Sequence, residues 1–445
     1  MKIKDTLQRD PATNPLVNQG QARISDTRDE RTQSELRGEL ETFVCEGQYA
    51  DGVQKIIRSF LDNLGKTSQR GAWVSGFFGS GKSHLLKMLC HLWQDTAFPD
   101  GATARSLVPS VPEDLKALLL ELDTAGRRAG GLIAAAGALP SGTTDNVRLT
   151  ILAILLRAVG LPEQYPQARF CIWLHSLGQF DKVKAAVEAA GRSFERELNN
   201  LYVSGPIARA VMAADANFAS SEAEAKQLLK AQFPPQVTDI TTEQFLSVAK
   251  DALRLNGKDG RLPCTLLILD EAQQYIGDSQ QRASLLTEVT EAVSKQLDSH
   301  VMVVAAGQSA LTEIQLLTYL LDRFTIRVPL SDTEVETVTR KVLLQKKPTA
   351  VTDVRALLDK HAGEVSRQLQ GTRIGESIED RAIIVDDYPL LPVRRRFWEN
   401  CFRQIDAAGT HSQLRSQLRI IHDAVAKVSE RPLGSVVPAD DLFEA

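Results

Sequence analysis

The sequence predicts an α/β fold, a five-strand parallel sheet with helices on both faces. Short strand-like runs alternate with amphipathic segments of helical length, as in chains that build parallel sheets. Two of the runs, 265–269 and 301–306, are continuously apolar, as strands covered on both faces are. A glycine-rich turn joins the first strand, 72–75, directly to a helix.

Taken in order, residues 1–48 begin polar, carry the turn signals Pro11, Pro15 and Gly20, and return to apolar at Leu40, Phe43 and Val44. They read as an N-terminal appendage docked on the neighbouring domain. Residues 51–64 carry Val53, Ile56, Ile57, Phe60, Leu61 and Leu64, a helical stripe. After the strand 72–75 comes a helix over 83–93, with Leu85, Leu86, Leu89 and Leu92 at helical spacing. A helix is expected over 114–127, a strand over 131–136 and a helix over 146–159. From about 160 to 255 the text is helical throughout, including segments around 185–198, 220–233 and 242–255. The strand 265–269, a helix over 283–297, the strand 301–306, a last strand over 324–330 and a helix over 335–344 complete the core. The expected core is thus 49–345, with a helical insertion at about 160–255, followed by a helical lid over 346–445.

The chain has 445 residues, 43% hydrophobic and 24% charged, with a net charge of −4. These are the values of a globular protein, and no apolar run approaches the roughly 20 residues that span a membrane. The start, Met1-Lys2-Ile3-Lys4-Asp5, lacks the apolar segment of a secretory signal. Five scattered cysteines, with no C-x-x-C pair, suit a reducing cytoplasm and buried thiols rather than disulfides or zinc. The net charge neither calls for nor excludes nucleic acid, so any DNA contact would come from a local basic patch.

Gly76-Phe77-Phe78-Gly79-Ser80-Gly81-Lys82-Ser83 spells G-x-x-x-x-G-K-[ST] between a strand and a helix. The pattern is a phosphate cradle. Its glycines let the backbone wrap an anion, and its N–H groups and the helix start face that anion. Lys82 is expected on the β/γ-phosphates of a nucleotide and the Ser83 hydroxyl on Mg²⁺. His84 continues the run and is counted with the nucleotide-contacting residues, although a lone histidine inside a helix more often packs or caps. Leu266-Leu267-Ile268-Leu269-Asp270-Glu271 then delivers two carboxylates at a strand end. Phosphoanhydride hydrolysis needs a metal, fixed charge and an oriented water. Asp270 fits the Mg²⁺ and Glu271 the water. Far more chain separates Lys82 from Asp270 than the roughly 30 residues of a βαβ unit, which is why the stretch before 255 reads as an insertion.

Gln308, after the strand 301–306, is either an ordinary loop residue or a contact to the γ-phosphate or water. Arg323 is either paired with Asp322 or offered to a neighbour's nucleotide as a finger, with Arg327 the lesser candidate. Arg415 and Arg419 share a helical face, and Arg415 is favoured to reach the phosphates from the lid. Arg394-Arg395-Arg396 before Phe397-Trp398 is either a solvated face or a grip on a nucleic-acid backbone.

Together these features resemble the AAA+ ATPases over roughly 49–430. The resemblance implies Lys82 and Ser83 as Walker A, Asp270 and Glu271 as Walker B, Gln308 as sensor 1, Arg323 as finger and Arg415 as sensor 2. It implies ATP and Mg²⁺ as cofactors and a homo-oligomer. The run from Trp73 through Lys87 is also similar to the phosphate loop of the BrxC/PglY family, large P-loop ATPases of bacterial BREX phage-exclusion systems. Those proteins are much longer, so this chain is expected to be an N-terminal piece. The family implies assembly with a methyltransferase, an alkaline-phosphatase-like protein and other defence components, with DNA touched directly or through them.

Overall fold

The computed structural model describes residues 1–13, 30–76, 80–140, 146–308, 315–331, 335–372, 375–405 and 414–443. Five strands, β1 (Ala72–Gly76), β2 (Leu132–Ala138), β3 (Cys264–Asp270), β4 (Val301–Gly307) and β5 (Ile326–Leu330), form one sheet in the order β2-β3-β4-β1-β5. All four pairings are parallel, so every strand ends at the same edge. β3 and β4 are buried along their whole length, which explains the apolar runs Leu266–Leu269 and Val301–Ala306.

The period-2 alternation of side chains divides the core into two layers. Ala72, Val74, Leu266, Ile268, Met302 and Val304 face the helices Gly47–Asn63, Lys82–Gln94 and Glu113–Arg128. Trp73, Leu267, Leu269, Val301, Val303 and Ala305 face Val147–Ala158, Thr242–Asn256 and Gln280–Gln296. The expected α/β sandwich is therefore present. Among the described residues no helix is long and apolar enough to cross a membrane.

Several boundaries differ from expectation. The single helix read around 185–198 is two, Phe180–Ala189 and Phe194–Asn199. Gly191 turns at φ +73°, and Ser193 starts the second helix by accepting from the Arg196 N–H at 3.4 Å. The insertion's own core, including Phe170, Leu174, Val187, Leu198, Val211 and Phe233, lies within about 165–233. The helix Thr242–Asn256, read as part of it, instead packs Phe245, Ala249 and Leu253 into the sheet layer. Phe324 precedes β5 rather than beginning it, and its buried ring meets Trp73 edge-on at 5.8 Å.

The described residues among the first 48 go two ways. Leu36, Leu40, Phe43 and Cys45 join the layer beside the sheet. Ile3 and Leu7 enter the C-terminal helical cluster with Val354, Tyr388, Trp398 and Val425. The backbone there is tied from Ile3 N–H to Arg431 O at 3.0 Å and from Lys347 N–H to Thr6 O at 2.9 Å.

Candidate functional site: a phosphate loop beside two carboxylates

β1 ends at Gly76 and the next described residues, Ser80 and Gly81, lead into the helix Lys82–Gln94; Phe77, Phe78 and Gly79 lie outside the described residues. Two glycines are required by the geometry. A Cβ on Gly76 would meet Ser80 Oγ at 2.6 Å and the Leu330 carbonyl at 2.7 Å. Gly81 caps the helix at φ +87°, and a Cβ there would meet the Tyr49 hydroxyl at 2.6 Å. That hydroxyl donates to Ser80 O at 3.0 Å, so Tyr49 supports the loop from below. No sequence signal marks this role. It is carried by an ordinary-looking tyrosine at the start of the preceding helix.

Lys82 Nζ donates to the Gly76 carbonyl at 2.6 Å. Burial lowers its pKa to about 8, partly offset by the negative charge of Asp270. An ammonium held this dry gains from a phosphate oxygen. Ser80 Oγ is buried and has no hydrogen-bond partner among the described residues, and Ser83 sits half-buried in the helix's first turn. An orphaned hydroxyl, a poorly hydrated lysine and a helix N-terminus are the donor set that a phosphate satisfies.

β3 brings Asp270 to the same sheet edge, buried, with Oδ1 accepting the Glu271 N–H at 2.8 Å. Glu271 follows in the left-handed region at φ +57° and starts the short helix Ala272–Ile276. It is exposed, and partial burial together with the charge of Asp270 raises its pKa. β4 lies between β1 and β3, with Ser75 opposite Gly307 and Leu269 opposite Ala305. Gln308, which follows β4, is therefore set between the ends of β1 and β3. Its side chain is exposed, and its N–H donates to Gln273 Oε1 at 2.6 Å. Gln273 was not singled out from the sequence, although it lies three residues past Asp270.

Arg323 stands at the opposite edge of the sheet, where its carbonyl accepts the Gly71 N–H at 2.9 Å at the start of β1. Its guanidinium pairs with Glu291 at 2.7 Å, not with Asp322, because the side chain runs along the helix Gln280–Gln296. From there it does not reach this chain's own phosphate loop. Arg327 is exposed on β5, an edge strand. Arg415 belongs to the helix Leu414–Val428, its side chain outside the described residues, and Arg419 is exposed.

The Arg394–Arg396 triplet is neither a solvated face nor an open basic patch. Arg395 is buried and pairs with Asp387 at 3.1 Å, Glu336 at 2.5 Å and Glu399 at 2.9 Å. Arg396 binds Asp380 at 2.5 Å and 2.7 Å, and Arg394 donates to the Val437 carbonyl. His84 packs its ring edge-on against Phe43 at 5.7 Å. Cys45, Cys90, Cys171 and Cys264 are buried thiols, each pushed up to about 12 chiefly by burial. Among the described residues no cluster of three or more His, Cys, Asp or Glu could hold a metal. A single carboxylate and a hydroxyl, completed by phosphate and water oxygens, is how Mg²⁺ is usually held. Compared with known protein families, the chain matches no family model.

Proposed function

We propose that the chain is an ATP-binding and ATP-hydrolysing module of AAA+ type. The observation that carries this is convergence. Gly76 and the helix start at Lys82, the buried Asp270 with Glu271, and Gln308 lie at one edge of a single parallel sheet, and Asp270 is near enough to act on the charge of Lys82. The strand order, with β4 between the two motifs, supports the same reading.

On this reading the loop N–H groups and Lys82 bind the β- and γ-phosphates. Ser83 and Asp270 hold Mg²⁺, which when bound neutralises phosphate charge. Glu271 orients a water and takes its proton as the water oxygen bonds the γ-phosphorus and the bridging oxygen leaves with ADP. The pKa of Glu271, raised by burial and Asp270, suits a base that must accept a proton. Gln308 contacts the γ-phosphate or the water. Arg323, remote from its own loop and exposed by about a third, acts on a neighbouring subunit's nucleotide on this reading, with a homo-oligomer as the working form. The loop's wording, Trp73 through Lys87, supports service in BREX anti-phage defence in bacterial cytoplasm, with a methyltransferase and a phosphatase-like protein as partners. Direct DNA contact draws no support from Arg394–Arg396, whose guanidinium groups are engaged by the Val437 carbonyl and by Glu336, Asp380 and Asp387.

The test separates binding from chemistry. Glu271→Gln binds ATP as tightly as wild type and loses about a hundredfold or more in turnover, on the scale of lost general-base catalysis. Unchanged turnover in that variant contradicts the assignment.

A further inference from the structure

We propose that Gln273 is a positioning residue that locks Gln308 to Glu271, so that the two side chains on either side of the attacking water are held as one unit. The inference rests on the ATPase reading and deepens it.

The geometry is specific. Gln273 Oε1 accepts the backbone N–H of Gln308 at 2.6 Å. Close approach is possible because residue 307 is glycine: a Cβ there would lie 2.9 Å from Gln273 Oε1 and 2.3 Å from Trp73 Cζ2. Gln273 itself belongs to the helix that Glu271 starts. In that helix the Glu271 carbonyl accepts from the Tyr275 N–H at 3.0 Å, and the Gln273 carbonyl accepts from the Gly277 N–H at 2.9 Å. Ala272, Tyr275 and Ile276 are buried, so this short helix is anchored, and β4 is buried throughout. Two anchored elements, each ending in one polar side chain of the site, are therefore bridged by one short hydrogen bond.

Gln308 sits at the first residue beyond β4, where the strand's own ladder no longer holds the backbone. A peptide there can rotate, and rotation swings the Gln308 side chain. The Gln273 side-chain carbonyl fixes the peptide's orientation. Misplacing a group by about 1 Å costs on the order of a hundredfold in rate.

The experiment is steady-state ATP turnover by the full chain as wild type, Gln273→Met, Gln308→Ala and the double variant, beside nucleotide binding and thermal melting. Methionine keeps the length and removes the acceptor. The expected result for Gln273→Met is a fall in kcat of about tenfold to a hundredfold, with KM and nucleotide Kd changed by less than about threefold. In the Gln308→Ala background, Gln273→Met removes little more, because the group it positions is gone. Normal kcat in Gln273→Met, losses that multiply in the double variant, or a rise in KM and Kd matching the fall in kcat would each overturn the inference. So would a Gln308→Ala variant as active as wild type. A wild type inert toward ATP overturns the ATPase reading and this inference with it, whereas an active wild type matched by Gln273→Met overturns this inference alone.

Discussion

The phosphate-loop helix is pinned to the N-terminal segment by a buried ion pair, and breaking it has a calculable consequence. Lys87 Nζ and Glu39 Oε2 lie 2.5 Å apart with side chains only 7% and 2% exposed. At that distance and an effective dielectric of about 20, the attraction is about 6–7 kcal/mol. Desolvating the two ions costs several kcal/mol each, so the pair as a whole is close to neutral for stability. A lone survivor keeps the desolvation cost without the attraction. Lys87→Met and Glu39→Leu should each destabilise by about 3–5 kcal/mol, and the double variant should return to within about 1–2 kcal/mol of wild type. Urea unfolding followed by circular dichroism reads all three. A second readout is His91, one turn along the helix. Burial first, and the Lys87 charge second, hold its pKa down to about 4. In Lys87→Met that pKa rises, but stays below the ordinary 6.5 because burial remains. Single variants that each cost under about 1 kcal/mol, or costs that add in the double variant, would show that Lys87 and Glu39 are not coupled as a buried pair.

Three further outcomes are expected. Burial pulls Lys346 from 10.5 to about 7. Below about pH 7 both folded and unfolded chains are protonated and the folded state bears the full cost; from about 7 to 10.5 only the unfolded chain holds the proton, so stability climbs. Lys346→Met should raise the melting temperature most below pH 7 and flatten that climb; an unaltered slope contradicts it. Tyr49→Phe removes the hydrogen bond to the Ser80 carbonyl, worth about 0.5–1.5 kcal/mol. It should weaken binding of a fluorescent ATP analogue by about threefold to tenfold, and unchanged affinity counts against a role for Tyr49 in shaping the loop. Finally, Lys82→Ala and Arg323→Ala should each be inactive alone and recover part of the turnover when mixed, since one supplies the finger and the other the intact loop. No recovery on mixing argues against action in trans.

Much of the site was legible because its chemistry is local in sequence. The loop octet and the Asp270-Glu271 pair each sit at a strand end, and strands β3 and β4 declare themselves by unbroken apolar text. Long-range relations were not legible. The partners of Arg395 and Arg396, Asp387, Glu336 and Asp380, come from other helices, so a triplet that reads as solvated or nucleic-acid-binding is an internal ion network. The helix Thr242–Asn256 has the same apolar stripe whether it packs in an insertion or on a sheet, and only the fold assigns it to the sheet. Residues 1–8 join the C-terminal helices through backbone bonds and the side chains of Ile3 and Leu7, a pairing no periodicity encodes. Tyr49 and Gln273 escaped notice because they act through neighbours' backbone groups, where residue type carries little signal.

On the proposed reading, one sheet edge binds ATP and hydrolyses it, with a neighbour completing the site. ATP turnover by the purified chain across a protein-concentration series, with and without duplex DNA and beside Lys82→Ala and Glu271→Gln, tests it most directly. Specific activity should rise with concentration and be abolished in both variants. A wild type that hydrolyses no ATP at any concentration, or a Lys82→Ala variant as active as wild type, would overturn hydrolysis at this sheet edge.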